Sequence, residues 1–331
     1  MNTQEQARAM KAVMEAIRRH RRFIVSSHVN PEGDALGSAL GLASLLKRLG
    51  KKVTVVTDGG IPKAFDYLPR TAPVIGRPNG KIAAEVSMVV DVATFSRLGA
   101  IGKLIQRIPL VVNIDHHVSN QQFGHINWVD PKAAATGEMI YRLYEAFHLK
   151  PRREEALCLY VALVTDTGSF RYMNTTPAVH RIAAQLIATG VSPLKVAQHL
   201  FESYSPSDLR FLGTVLRSIK HTSDGQIAWL EVPSKLLRAA KASPEIVDEL
   251  VNYPRSIGSA QVAMLFREAG GPGKVRVSFR SKGQVNVDGI ARQFGGGGHW
   301  AASGCTVEGT LAQARAKVLR VVRTALGPRS S

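Results

Sequence analysis

Apolar residues recur along this chain in two rhythms that alternate with one another. Met10, Val13, Met14 and Ile17 fall at helical intervals and predict an amphipathic helix at the amino end. Phe23–Ser27 is a short β-rich run that ends at His28, and a turn holding Pro31 and Gly33 follows. Ala35–Leu49 returns to helical spacing and stops at Gly50, a C-cap position. Further strands are predicted at Val53–Thr57, Val86–Val90 and Leu110–Ile114. Helices are predicted at Gly99–Gln106, Thr136–Phe147, Glu154–Val164 and Pro177–Ala188. Strands alternating with helices predict an α/β fold: a doubly wound, mostly parallel sheet with both faces covered.

The rhythm changes near Val191. Leu194–Glu202 and Ser207–Ser218 read as helices, then Ile227–Val232 as a strand, Glu245–Val251 as a helix and Gln261–Arg267 as a strand. Lys274–Arg280 alternates strictly, with Val275, Val277 and Phe279 on one face and Arg276, Ser278 and Arg280 on the other. Leu311–Ala325 closes the chain as a helix, after the glycine cluster FGGGGHWAASG, in which a helix-like stretch is expected directly after the glycines. The expected organisation is a first domain over 1–190, a helical connector over 191–215 and a smaller α/β domain over 216–331. A length of 331 residues suits two domains.

Composition narrows the class. The two cysteines, Cys158 and Cys305, form no CxxC motif and read as buried structural thiols, which suits a reducing compartment. The amino end shows no secretory leader, and no apolar run reaches the roughly 18 residues that span a bilayer, so a cytoplasmic protein without membrane partners is expected. A net charge of +18, spread along the chain, favours polyanionic partners such as nucleic acid or nucleotides.

The chemistry lies in where the acids and histidines fall. His28 follows the first predicted strand, Asp91 ends the third, and Asp115-His116-His117 ends the fourth. In an open parallel sheet these ends share one edge, where ligands bind. Glu32 and Asp34 lie in the turn after His28, and Asp166 ends an apolar helix that can reach the same edge. A carboxylate such as Asp34 can also cap a helix start, which would account for one acid but not the set. Four carboxylates in one crevice repel each other unless cations neutralise them. Two divalent metals with imidazole and carboxylate ligands would do so, and would suit in-line displacement at phosphorus. Manganese fits that mixture, and zinc, cobalt or iron would also fit. His20, His148, His180, His199 and His221 read as ordinary surface or packing residues, with His125 less clear because it follows the triplet closely.

These segments, in this order, resemble the DHH phosphoesterase family. The triplet Asp115-His116-His117 matches its hallmark, HVNPEGDALGS from His28 to Ser38 matches its first motif, and GGGGHWAASG with VSFRS resembles the DHH-associated domain. The similarity is closest to members that act as nanoRNases and as phosphatases of 3′-phosphoadenosine-5′-phosphate (pAp). The resemblance implies one manganese ion on His28, Glu32 and Asp91, and a second on Asp34, Asp91 and His116, with Asp91 bridging and Asp166 completing the site. It implies that His117 faces substrate phosphate, that Asp115 orients the histidines, and that a metal-bridging hydroxide attacks. Glu32 stands where the family usually has Asp, so the carboxylate sits one methylene further out.

For substrate, Arg280 and Ser281, the backbone of Gly295, Gly296, Gly297 and Gly298, and His299 are the candidates, with Arg255 and Arg97 behind them. The glycine amides are expected to lie within reach of an anion. The expected substrates are short RNA oligonucleotides or nucleotides, and family analogy suggests a homodimer through the first domain. Other readings are a soluble phosphodiesterase of cyclic di-AMP or its linear product pApA, a RecJ-like single-strand exonuclease, or a nucleotide-binding protein without catalysis, whereas a family II pyrophosphatase would lack the GGGGH loop.

Overall fold

A computed structural model describes residues 3–76, 82–240, 243–268, 271 and 273–327. The chain divides into two compact units, Met1–Leu200 and Phe201–Ser331. The first contains α1 (Thr3–Arg19), β1 (Arg22–Ser26), α2 (Gly33–Arg48), β2 (Lys52–Val56), β3 (Val74–Ile75), β4 (Val86–Val90), α3 (Gly102–Ile105), β5 (Leu110–Asp115), β6 (Ile126–Val129), α4 (Thr136–Ala146), α5 (Arg153–Asp166), α6 (Pro177–Ala188) and α7 (Pro193–Phe201).

Its six strands run in the order β3-β2-β1-β4-β5-β6, and every pairing is parallel. Alternation along each strand feeds two cores. Phe23 and Val25 of β1, Met88 and Val90 of β4, and Val112 and Ile114 of β5 join α1, α2, α4 and α5 in the larger one. Ile24, Val89 and Val111 point the other way, onto Leu98, Ile101 and Ile105. The doubly wound parallel sheet expected from the sequence is present. The chain's winding reverses between β1 and β4, so a crevice opens outside the carboxyl ends of those two strands.

Three glycines set how closely the helices over this crevice approach. Gly33, Gly37 and Gly41 line the face of α2 that meets α5, and a Cβ at Gly37 would lie 2.3 Å from the Cys158 carbonyl oxygen. At Gly33 it would lie 2.4 Å from Thr165 Cγ2. The start of α2 therefore rests on the end of α5, which places Asp34 and Asp166 in one neighbourhood.

The second unit contains α8 (Pro206–Leu216), β7 (Lys220–His221), β8 (Ile227–Val232), α9 (Ser234–Ala240), α10 (Pro244–Glu249), α11 (Asn252–Arg255), β9 (Val262–Glu268), β10 (Lys274–Ser281), α12 (Val287–Arg292), β11 (Gly297–His299), β12 (Ala302–Glu308) and α13 (Leu311–Leu326). Its sheet runs β11-β12-β10-β9-β8-β7 and is antiparallel except for β8 beside β9. One face is sealed by α12 and α13, with Val275, Val277 and Phe279 of β10 fully buried. Each of those side chains contributes roughly 1.5–3 kcal/mol. The opposite face is covered over β8 and β9 by α8 and α10, while Arg276, Ser278 and Arg280 of β10 remain partly or fully exposed.

Three expectations change. The stretch 191–215 is not a separate connector: Val196 of α7 belongs to the first unit's core, and Phe211 and Val215 of α8 to a core of the second. The four glycines lead into a strand hairpin, β11–β12, not a helix, because their conformational freedom lets two strands close tightly. The edge strands β3 and β6 are additional to the strands expected. Cys158 and Cys305 are buried free thiols, as expected, and among the described residues no helix is long and apolar enough to cross a membrane.

Candidate metal centre

β1 runs out at Ser26, and two residues later the His28 ring lies under the crevice, only 4 % exposed. Its Nδ1 lies 2.8 Å from the Val29 carbonyl, while Nε2 lies 3.1 Å from Glu32 Oε1 and 3.6 Å from Asp91 Oδ2. Arg97 brings Nη2 to 3.1 Å from that same Nδ1. The carbonyl is the closer of the two and the one that can accept, so Nδ1 keeps its proton and donates to it. That tautomer directs the Nε2 lone pair at the carboxylates, which is how a metal-ligating histidine is oriented.

Asp91 leaves β4 in the left-handed backbone region, with φ of 60°, and its amide donates to the Ile114 carbonyl at 2.9 Å. Aspartate tolerates this region better than most residues, and such strain persists where surrounding structure enforces it. The turn aims the Asp91 carboxylate across the ends of β1 and β5. Thr136 Oγ1 donates to its Oδ1 at 3.0 Å.

His116, one residue beyond β5, repeats the pattern of His28. Its Nδ1 lies 3.1 Å from the Ala133 carbonyl, and Nε2 faces Asp166 Oδ2 at 3.3 Å, Asp34 Oδ2 at 3.6 Å and Asp91 Oδ1 at 3.7 Å. Asp34 has a second attachment. Its oxygens accept from the Thr136 amide at 2.7 Å, the Gly137 amide at 2.9 Å and Ser38 Oγ at 2.8 Å. Asp34 therefore caps α4, a helix more than a hundred residues away in sequence, and not its own. A negative charge there also complements the helix dipole.

Asp115 is occupied differently. Oδ1 accepts from the His116 amide at 2.9 Å and lies 2.7 Å from His117 Nδ1, while Oδ2 accepts from Asn120 Nδ2 at 2.5 Å. With both oxygens engaged, this buried carboxylate holds the His117 ring and the backbone of His116. Asn174 ties the Ala134 carbonyl to that of Asp166, at 2.8 and 3.0 Å, and so joins the loop under His116 to the end of α5. Thr136, Asn120 and Asn174 were not singled out in the sequence. They act through hydrogen bonds, which leave no periodic signal.

Two of the donor groups that result are His28-Glu32-Asp91 and Asp34-Asp91-His116, and within each the atoms lie within 4.8 Å of one another. Asp91 belongs to both. Burial, with Asp91 and Asp166 nearby, pushes the Asp34 carboxyl well above its ordinary range. Burial also lifts Asp166 to about 6, with His116 opposing. Burial works against the Asp91 charge too, yet the hydrogen bond from His28 and the rings of His117 and His116 hold that carboxyl well below the usual range. For His116 burial is outweighed by Asp166, Asp34 and Asp91, which raise it to about 10. Positively charged imidazole thus offsets part of the carboxylate charge, in the place divalent cations would fill. This donor set fits such cations: oriented imidazoles, a shared carboxylate, and an excess of negative charge otherwise hard to bury.

Each of the remaining candidates is placed by its own element. Arg97 stands beside His28. Arg280 and His299 lie in one row of the second unit's sheet, each opposite Ala302. Ser281 is fully buried, and its Oγ accepts from the Gly283 amide at 3.2 Å. Arg255 is half-buried on α11, which packs on β8, β9 and β10. Three of the four glycine amides have partners within the unit. Those of Gly295 and Gly296 donate to the Arg292 and Ala291 carbonyls, and that of Gly298 to Asp288 Oδ1 at 2.8 Å. The glycines also serve close approach, since a Cβ at Gly296 would lie 2.2 Å from the Gly304 carbonyl. His125 is structural: its Nδ1 accepts from the Val111 amide at 2.9 Å.

Comparison with known proteins agrees with this architecture. Residues 22–163 match the model of the DHH family, N-terminal domain, and residues 226–327 match the DHHA1 domain. The "Bifunctional oligoribonuclease and PAP phosphatase NrnA" of Thermus thermophilus is 35% identical over 97% of this chain and 95% of its own. The protein of the same name from Bacillus subtilis is 28% identical over 86% of this chain and 89% of its own. Among solved structures, an exopolyphosphatase-related protein from Bacteroides fragilis superposes with a TM-score of 0.84 at 25% identity, covering 97% of this chain and 96% of the other. The chain belongs to the DHH phosphoesterase family and is a hydrolase of phosphate ester bonds.

Proposed function

We propose that this protein hydrolyses short oligoribonucleotides to mononucleotides, and pAp to AMP, with two manganese ions at the edge of the first unit's sheet. The observation that carries the reading is the pair of donor groups sharing Asp91. The names of the two relatives above support the substrate class. His28, Glu32 and Asp91 would hold one ion, and Asp34, Asp91 and His116 the other, with Asp166 beside the second. When bound, the ions would lower the pKa of water and neutralise phosphate oxygens.

The protein's own residues do the rest. Asp115 holds the His117 ring by its Nδ1, so that the imidazole faces substrate phosphate as a hydrogen-bonding partner. Burial pulls the His117 pKa down, but the charge and hydrogen bond of Asp115 outweigh it and raise the pKa, which favours the protonated ring beside a phosphate. The Val29 and Ala133 carbonyls keep His28 and His116 in the ligating tautomer. Arg280 and His299 of the second unit bind the nucleotide's phosphates, and Arg97 assists near His28.

A manganese-supported hydrolysis assay across pAp, pApA, pGpG, cyclic di-AMP and a long single-stranded RNA tests the reading. Turnover of pAp and the dinucleotides, with chains beyond ten nucleotides slower, is expected. Equal rates on long and short chains would refute the length preference, and near-wild-type turnover by His116→Ala would refute its role as a ligand.

A further inference from the structure

The chain has three tryptophans. Trp128 and Trp229 are buried, whereas Trp300 leaves 52% of its surface exposed. It follows the glycine run and His299 directly, in the turn between β11 and β12. An indole is among the largest apolar surfaces a protein can bury, so one held in solvent forgoes a substantial gain. The ring is nonetheless anchored. Its Nε1–H donates to the Gly283 carbonyl at 2.8 Å, and the Trp300 carbonyl accepts from the Val287 amide at 2.9 Å. The polar edge is satisfied by the protein, so the part that faces solvent is apolar ring.

The sheet register places this ring among ligand-competent groups. Arg280, Ala302 and His299 lie side by side on β10, β12 and β11. Trp300 and Ala301 form the turn that joins His299 to Ala302, and the Ser281 amide donates to the Ala301 carbonyl of that turn at 2.8 Å. With strands about 4.8 Å apart, the backbones of Arg280 and His299 are separated by roughly 10 Å. A guanidinium, an imidazole and an anchored aromatic surface thus occupy one end of the sheet, within the span of a nucleotide.

We propose that Trp300 is the stacking platform for a nucleobase of the substrate, and a specificity-determining residue that favours nucleotides over phosphate esters lacking a base. The proposal rests on the nucleotide reading above and deepens it. Stacking suits a substrate of varied sequence, because every base presents a π face. Purines, with the larger face, should gain most.

The test compares wild type with Trp300→Phe, Trp300→Leu and Trp300→Ala on pApA and on ribose 3,5-bisphosphate, which keeps the phosphates without the base. Stacking of this kind predicts a KM for pApA raised roughly 10- to 100-fold in the Leu and Ala variants, and only a few-fold in Phe. kcat should move far less, and KM for the base-free bisphosphate should stay within about twofold. AMP should quench the indole fluorescence of wild type, and the quench should vanish in Trp300→Phe although Trp128 and Trp229 remain. An unchanged KM for pApA in Trp300→Leu, an equal rise for the base-free compound, or no quench in wild type would each overturn the proposal. Failure of wild type to hydrolyse any nucleotide, with the quench intact, would overturn the proposed activity and leave the base platform standing.

Discussion

Gly37→Ala adds a single methyl group, yet the packing of α2 against α5 gives it a defined effect. The new Cβ would lie 2.3 Å from the Cys158 carbonyl oxygen. That atom is backbone and cannot rotate away, so relief requires the helices to separate by about 1 Å at the contact. Asp34 lies three residues before Gly37 on α2, and Asp166 ends α5, with its Oδ2 3.3 Å from His116 Nε2. Separation therefore shifts Asp34 and Asp166 against each other and against His116. A misplacement of that size in catalytic geometry lowers rate by about 100-fold.

Stability changes less. Overpacking is unfavourable by about 1–3 kcal/mol, while replacing a helical glycine by alanine returns about 1 kcal/mol. The net loss is about 0–2 kcal/mol, a drop in Tm of a few degrees for a unit of this size. Gly213→Ala is the control, since it adds the same methyl on an exposed turn of α8 with no atom within 4 Å. It should raise stability by about 0.5–1 kcal/mol and leave turnover unchanged. Steady-state hydrolysis of pApA and thermal unfolding of the two variants, measured in parallel, decide the matter. If Gly37→Ala keeps wild-type kcat and gains stability as Gly213→Ala does, the helix contact does not position the carboxylates.

Asp115→Asn should lower kcat by about 10- to 100-fold with little change in fold, because it weakens the bond that orients His117; wild-type kcat would remove Asp115 from that role. Chelation should lower Tm, and manganese at a hundred times its dissociation constant should restore about 2.7 kcal/mol; a Tm indifferent to chelator and metal would argue against a native cation pair. Asp208 accepts from the Ser243 amide at 2.8 Å and from the Ser205 amide at 3.0 Å, and these contacts, that of Ser243 foremost, hold its carboxyl below the usual range. Asp208→Asn should therefore destabilise by about 0.5–2 kcal/mol at pH 7. Because the folded pKa is the lower one, that difference is fully present above about pH 4 and disappears as pH falls through the folded value; a gap that persists in acid would show that charge is not involved.

Much of the site was legible because strand ends are legible. His28, Asp91 and the triplet each follow a run of buried β-branched or apolar residues, and a parallel sheet must gather such ends at one edge. Asp34 was only half readable. Its place before an apolar helix left it as a cap or a ligand, whereas it caps α4 and faces His116 at once, and no local pattern encodes a cap across a hundred residues. The glycine run misled for a related reason. Glycine permits both exposed amides and close strands, and only the placing of α12 shows that the amides of Gly295, Gly296 and Gly298 have partners. The spacing of Gly33, Gly37 and Gly41 was in plain view, but its meaning depends on α5 lying against it.

The two charge patterns of this protein work in sequence. A net charge of +18 draws anionic substrates towards the surface at long range. The catalytic crevice carries the opposite sign, with Glu32, Asp34, Asp91 and Asp166 set around two imidazoles. A phosphate entering that crevice without cations would meet carboxylates at a few ångströms, with burial weakening the screening that water provides. Cations held there would reverse the local field and so favour phosphate binding. The basic exterior would then act as a general attractant, and cations in the crevice would offset the carboxylate charge that a phosphate meets there.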